Sequence, residues 1–177
     1  MTHNDSGLPP KPLLSGFQGL SANARVMMVE DDQVTVDLAR EQLAAVGVRD
    51  FIVCLNACRA MEMIERHAPD VVLLDIMMPH VSGLEILQAI RGRSHLAQLP
   101  VIILTAMDDA ATKIHALELG ASDFLGKPID FVELAPRIRN AVLTKTYHDG
   151  LRKQACELQV LVNQRTAELR ASYNSLE

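Results

Sequence analysis

Long apolar runs are missing from this 177-residue chain. No stretch approaches the roughly 18 residues needed to cross a bilayer, so membrane insertion is not expected. The N-terminus has no basic segment leading into an apolar one, so no export signal is visible. Cysteine is scarce: Cys54, Cys58 and Cys156 make an odd count without CxxC spacing, which favours reduced thiols over a disulfide or zinc role. Aromatic residues make up only 3% and tryptophan is absent, so the core must be aliphatic. Basic excess is lacking too. Seventeen Lys and Arg against 22 Asp and Glu leave a net charge of −5, which argues against an electrostatic nucleic-acid binder. The expectation is a soluble, cytoplasmic protein with one domain of about 120–150 residues plus a smaller part.

Residues 1–22 hold Gly7, Pro9, Pro10, Pro12, Gly16 and Gly19 and read as a flexible tail. Beyond it, short apolar runs alternate with stretches of helical period. Val26–Val29 ends in Glu30-Asp31-Asp32, and Leu38, Leu43 and Val46 then recur at helical spacing up to Gly47, which reads as a C-terminal cap. Phe51–Leu55 is a second run, followed by helical Ala60–His67 and Pro69. Val71–Leu74 ends at Asp75, and Gly83 opens the helical stretch Leu84, Ile86, Leu87 and Ile90. Val101–Leu104 ends at Thr105, and the helix of Ile114, Leu117 and Leu119 stops at Gly120. Phe124-Leu125 is a short fifth run before Lys127-Pro128, and a further helix starts from Asp130. Near-continuous apolar strands alternating with helices predict an α/β fold, a doubly wound parallel sheet covered on both faces. Ligands of such a sheet sit beyond the carboxyl ends of its strands.

Those ends carry Glu30, Asp31 and Asp32, then Asp75, Thr105 and Lys127. Two carboxylates about 4 Å apart repel by roughly 4 kcal/mol at an effective dielectric near 20, so Glu30, Asp31 and Asp75 together call for a cation. A small set of hard oxygen ligands suits Mg²⁺, which completes its shell with water and phosphate oxygens. Lys127 would supply a point charge for a phosphoryl oxygen and Thr105 a hydrogen-bond donor. Asp75, ending the central strand, is the candidate nucleophile toward phosphorus.

The four motifs together resemble the receiver domain of two-component response regulators. They are Val29-Glu30-Asp31-Asp32, Leu73-Leu74-Asp75-Ile76-Met77-Met78-Pro79 with Val81-Ser82-Gly83-Leu84-Glu85, Ile103-Leu104-Thr105-Ala106, and Gly120–Pro128. The resemblance spans roughly residues 24–143 and implies a flavodoxin-like five-stranded sheet of order 2-1-3-4-5. It implies Asp75 as phosphoacceptor, Asp31 as a direct Mg²⁺ ligand, Glu30 as a ligand through water and the Met77 backbone carbonyl as a further ligand. Thr105 would be the switch hydroxyl, Phe124 its aromatic partner, and Lys127 the phosphoryl contact, with a cis bond to Pro128. Asp32 is second rank by strand alternation. A sensor histidine kinase or phosphotransfer protein would be the partner, and the domain would catalyse only its own phosphorylation and dephosphorylation. Departures fall in the loop: His80 stands where many receivers have glycine and Ser82 where aspartate is usual, while Gly126 is less apolar than typical. His80 reads as a surface residue rather than a ligand, and the methionines read as core filler and loop packing.

The division predicted is a tail over 1–22, a receiver over 23–145 and a helical coiled-coil linker over 146–177, with the output domain absent. His148, Ala155, Val162, Leu169 and Leu176 pair with Leu151, Leu158, Arg165 and Ser172 as a heptad seam, apolar on one side and weakened on the other. This predicts a parallel homodimer; a single solvated amphipathic helix is the alternative. Asp149-Gly150 is a candidate kink, and an unbroken helix from Asp130 to Glu177 would reach about 70 Å. Val162–Leu169 resembles linkers that precede output domains, with an HD-GYP cyclic-di-GMP phosphodiesterase favoured by analogy. Three other functions compete. A haloacid-dehalogenase-type phosphatase needs an aspartate where Met77 stands. A flavin binder needs a hydroxyl- and glycine-rich loop where three acids stand. A degenerate receiver, acting as a phosphorylation-independent binding or dimerisation module, usually lacks the aspartate or the lysine.

Overall fold

Five short aliphatic runs form one parallel sheet: β1 (Arg25–Val29), β2 (Asp50–Cys54), β3 (Val71–Asp75), β4 (Val101–Ala106) and β5 (Asp123–Lys127). Their order is β2-β1-β3-β4-β5, as the sequence implies. The computed structural model describes residues 24–106 and 110–174, so the tail expected over 1–22 lies outside the described residues. Strand register brings Val29 beside Leu74 and Asp75 beside Leu104, so the polar residues that follow the strands emerge at one edge of the sheet.

Alternate side chains on each strand serve opposite layers, as a two-residue period dictates. Met27, Val29, Val72, Leu74, Val101 and Ile103 face α2 (Ala60–His67), α3 (Gly83–Arg91) and α4 (Ala110–Glu118), meeting Ile64, Leu87, Ile90 and Ala116. Val26, Met28, Val71, Leu73, Ile102 and Leu104 face α1 (Gln33–Ala45) and α5 (Phe131–Asn174), meeting Val36, Leu43, Leu134 and Ile138. Each such buried aliphatic side chain contributes about 1.5–3 kcal/mol against leaving it in water. The core is aliphatic, as the shortage of aromatics requires. Two apolar readings shift in detail. Leu38 is 49% exposed while small Ala39 is buried, and α4 buries Ala116 while Ile114 and Leu117 remain open to solvent.

Local chemistry fixes where the helices begin. Asp32 caps α1, its carboxylate accepting the N–H groups of Val34 and Thr35. Ser82 caps α3: its hydroxyl accepts the Glu85 N–H at 3.3 Å, and the Glu85 carboxylate accepts the Ser82 N–H at 2.8 Å. Gly47 lies just past α1 at φ 97°, the conformation its role as terminator demands. Before α5, the Asp130 side chain accepts the Val132 N–H at 2.9 Å. Pro136, which the helical pattern conceals, is the sixth residue of α5, past the N–H groups that lack an intrahelical acceptor, so it costs the helix one backbone bond in its second turn.

α5 then continues through Asp149 and Gly150 as helix for 44 residues, about 66 Å at a 1.5 Å rise. Val142 is its last buried residue and Lys145 its last partly buried one; residues 147–171 are exposed. Among the described residues, no helix is long and apolar enough to cross a membrane.

Candidate functional site

β1 and β3 deliver their carboxylates to one point. Ligand oxygens of Glu30, Asp31 and Asp75 lie within 4.8 Å of one another, although the three residues come from chain segments 45 positions apart. Glu30 and Asp75 are buried, at 1% and 3% exposure, whereas Asp31 opens to solvent. A triad with two buried members and one exposed member offers hard oxygen ligands on a single open face. That donor set fits Mg²⁺ holding several waters.

β5 supplies the opposing charge. Lys127 Nζ is 2.7 Å from a Glu30 carboxylate oxygen and 3.0 Å from Asp75 Oδ2. Burial alone would lower the Lys127 pKa, but the hydrogen bonds from its ammonium to Glu30 and Asp75 outweigh that and raise it. Lys127 is therefore cationic across the physiological range. Glu30 is pushed the other way from most paired carboxylates. Burial, followed by repulsion from Asp75, raises its pKa against the pull of Lys127.

Thr105 stands at the end of β4, 4% exposed, on the strand between those of Asp75 and Lys127. Phe124 is half-buried against the α2–α4 layer, and the Lys113 ammonium lies 5.3 Å from its ring centroid. The Lys127–Pro128 bond is cis. Met77 follows the site on the surface, 77% exposed, so it is not the packing residue its type suggests. Met27 and Met28 do fill the core. His80 is exposed at φ 72°, a left-handed backbone that glycine adopts more readily than a residue with a side chain.

The structure thus brings together Glu30, Asp31, Asp75 and Lys127, and sets Thr105 on the strand between Asp75 and Lys127. Asp32 is turned to capping, and hydrogen bonds from Thr35 and the α1 backbone hold its pKa down. Two participants escape a reading by residue type. One is the direct Glu30–Lys127 pair, which joins side chains 97 positions apart. The other is Gly83: a Cβ there would stand 2.1 Å from the Asp75 carbonyl oxygen. The N-terminus of α3 therefore packs on the backbone that carries Asp75, and only glycine permits the approach. Its presence in the second motif was the available signal.

Residues 26–139 match the family described as the response regulator receiver domain. The chain belongs to this family. The receiver is 35% identical over 132 residues to the response regulator PleD of Caulobacter vibrioides, covering 75% of this chain and 29% of that protein. It is 35% identical over 125 residues to the response regulator MprA of Mycobacterium leprae, covering 71% of this chain and 53% of that protein. The chain thus spans about a third to a half of the length of these curated relatives. Among solved structures, the receiver domain of the Francisella response regulator 1452 is similar at 30% identity and TM-score 0.62, covering 68% of this chain and 97% of that one. The BeF3-activated N-terminal receiver domain of RstA from Klebsiella pneumoniae is similar at 35% identity and TM-score 0.61, covering 67% and 97%. The chain is accordingly a regulatory receiver of two-component signalling, with an acidic pocket of the receiver type and a long C-terminal helix.

Proposed function

We propose that Asp75 accepts a phosphoryl group from a sensor histidine kinase or phosphotransfer protein in a Mg²⁺-dependent reaction. The observation that carries this reading is the convergence of Lys127 and the carboxylates of Glu30 and Asp31 on Asp75. An Asp75 carboxylate oxygen attacks phosphorus, the bond from phosphorus to the donor nitrogen breaks, and an acyl phosphate results. Lys127 neutralises the charge that arrives on the phosphoryl oxygens, and Thr105 donates a hydrogen bond to one of them. Asp31 and Asp75 would hold Mg²⁺ directly, Glu30 through water, and the Met77 carbonyl would add a ligand. The bound ion supplies positive charge to the phosphoryl oxygens. In the site without phosphate, Lys127 is held by Glu30 and Asp75; transfer gives it a new anion to contact.

The new state is read by Thr105 and Phe124, which shift toward the phosphoryl group and into the core. α5 conveys it to an output unit, for which the linker analogy favours an HD-GYP cyclic-di-GMP phosphodiesterase. The receiver spans 23–145 and the linker 146–177, and the chain works in the cytoplasm without binding nucleic acid. Leu151, Leu158, Val162 and Leu169 are 55–71% exposed along the heptad seam, which supports pairing of two chains in parallel.

Hydroxylamine cleaves acyl phosphates and leaves a hydroxamate on the carboxyl concerned. After reaction with acetyl phosphate and Mg²⁺, peptide mass mapping should find it at Asp75. A hydroxamate at another carboxyl, or none, contradicts the assignment.

A further inference from the structure

The exposed part of α5 continues the helix that Leu134, Ile138 and Val142 pack on the sheet, but beyond Val142 the helix buries no further side chain against the receiver. Val142 is the last α5 residue buried against the sheet. Alongside and beyond it, two cavities lie against neighbouring faces of the helix. One of about 510 Å³ is bordered by Thr144 and His148, and another of about 470 Å³ by Lys145, Asp149 and Arg152; Gln98 and Leu99 line both. Close-packed side chains would fix a helix axis, but open space along two faces does not.

Among the described residues, a polar connection from Lys145 bridges this gap. Lys145 Nζ donates to Asp70 Oδ1 at 3.2 Å, and it is also held by Asp149 one helical turn on, at 2.8 Å. The other Asp70 oxygen accepts the Arg25 N–H at 2.9 Å, and the Arg25 guanidinium pairs with Asp50 at 2.7 Å and bonds the His67 carbonyl. The Asp70 carboxylate is thereby fixed to the starts of β1 and β2 before Lys145 reaches it. Both partners are partly shielded, with side chains 24% and 32% exposed. Asp70 also immediately precedes β3, whose far end is Asp75. β3 has both neighbours in the sheet and is buried throughout, so it is a stiff connection between the two ends.

We infer that Lys145 and Asp70 form the tether that sets the direction in which α5 leaves the receiver. Both are positioning residues at the end of the sheet opposite the acidic pocket. The tether goes beyond the phosphoacceptor assignment and stands without it.

The native cysteines provide the test. Cys58 on the receiver and Cys156 on the exposed helix are open to reagent, while Cys54 is buried. Nitroxides on Cys58 and Cys156 report their separation by dipolar electron resonance, with labelled chains diluted in unlabelled ones so that only distances within a chain are read. The native protein should give one narrow distribution. Lys145→Met and the isosteric Asp70→Asn should each broaden it beyond the native width, because each removes one charge of the pair. Lys145→Arg, which keeps a donor and the charge, should retain the native width. An unchanged width in Lys145→Met, or equal broadening in Lys145→Arg, overturns the tether. Phosphoryl uptake, read by intact mass on the same samples, should equal that of the native chain in every variant. Broadening accompanied by lost uptake would place the damage in the fold at large and also count against the tether.

Discussion

At the scale of single residues, the acidic pocket depends as much on a missing side chain as on charged ones. Gly83 lets α3 approach the Asp75 backbone, where even a methyl group would overlap the carbonyl oxygen. Gly83→Ala should therefore lower unfolding stability by about 1–3 kcal/mol, the usual range for overpacking, as measured by urea denaturation. His80 offers the opposite case. Its left-handed backbone disfavours a side chain, so His80→Gly should leave stability unchanged or raise it by up to about 1 kcal/mol in the same assay. Among the thiols, burial raises the pKa of Cys54, so iodoacetamide should modify Cys58 and Cys156 in the native protein and spare Cys54 until it unfolds. Glu30 and Asp75 were legible in the sequence because each directly follows or ends a buried apolar run, Asp31 because it stands beside Glu30, and Lys127 because it follows the short Phe124-Leu125 run across Gly126. The Asp32 cap was also legible in principle, as an aspartate two residues ahead of a helical pattern. Strand alternation said only that it points away, not what it points to.

At the scale of elements, apolar runs located all five strands and helical spacing located all five helices. Boundaries moved by one or two residues where polar ends, such as Arg25 and Asp50, join the ladder. Which face of a helix is buried was less visible. α4 turns Ala116 inward and leaves Ile114 and Leu117 out, so the larger apolar side chains do not mark its buried face. α5 shows a different limit: no periodicity reveals a proline tolerated in its first turns. Gly150 is fully helical with open space where a Cβ would stand. Gly150→Ala should therefore stabilise α5 by about 1 kcal/mol, read as a higher midpoint of the helical circular-dichroism signal of the exposed segment. A fall in helicity would mean that the glycine relieves a bend there.

At the scale of the whole molecule, the sheet separates two kinds of work. Its carboxyl edge gathers the acidic pocket and Lys127, and its other edge holds the Asp70–Lys145 contact where α5 leaves the receiver. The sequence gives access to the first because the motifs are local, and to the second hardly at all, since Asp70 and Lys145 lie 75 positions apart. Like charges concentrated at the first edge make the protein a natural receptor for a divalent ion. Mg²⁺ at a hundred times its dissociation constant should stabilise the fold by about 2.7 kcal/mol, and Asp31→Asn should abolish most of that gain in thermal unfolding. Equal gains in both proteins would remove Asp31 from the ligand set.

Asp75 is the proposed phosphoacceptor. Intact mass after incubation with Mg²⁺ and acetyl phosphate addresses this directly, with Asp75→Asn beside the native chain. The predicted result is one added phosphoryl group on the native protein, lost when Mg²⁺ is chelated, and none on the variant. Equal uptake by both proteins, or none by the native chain, would contradict it.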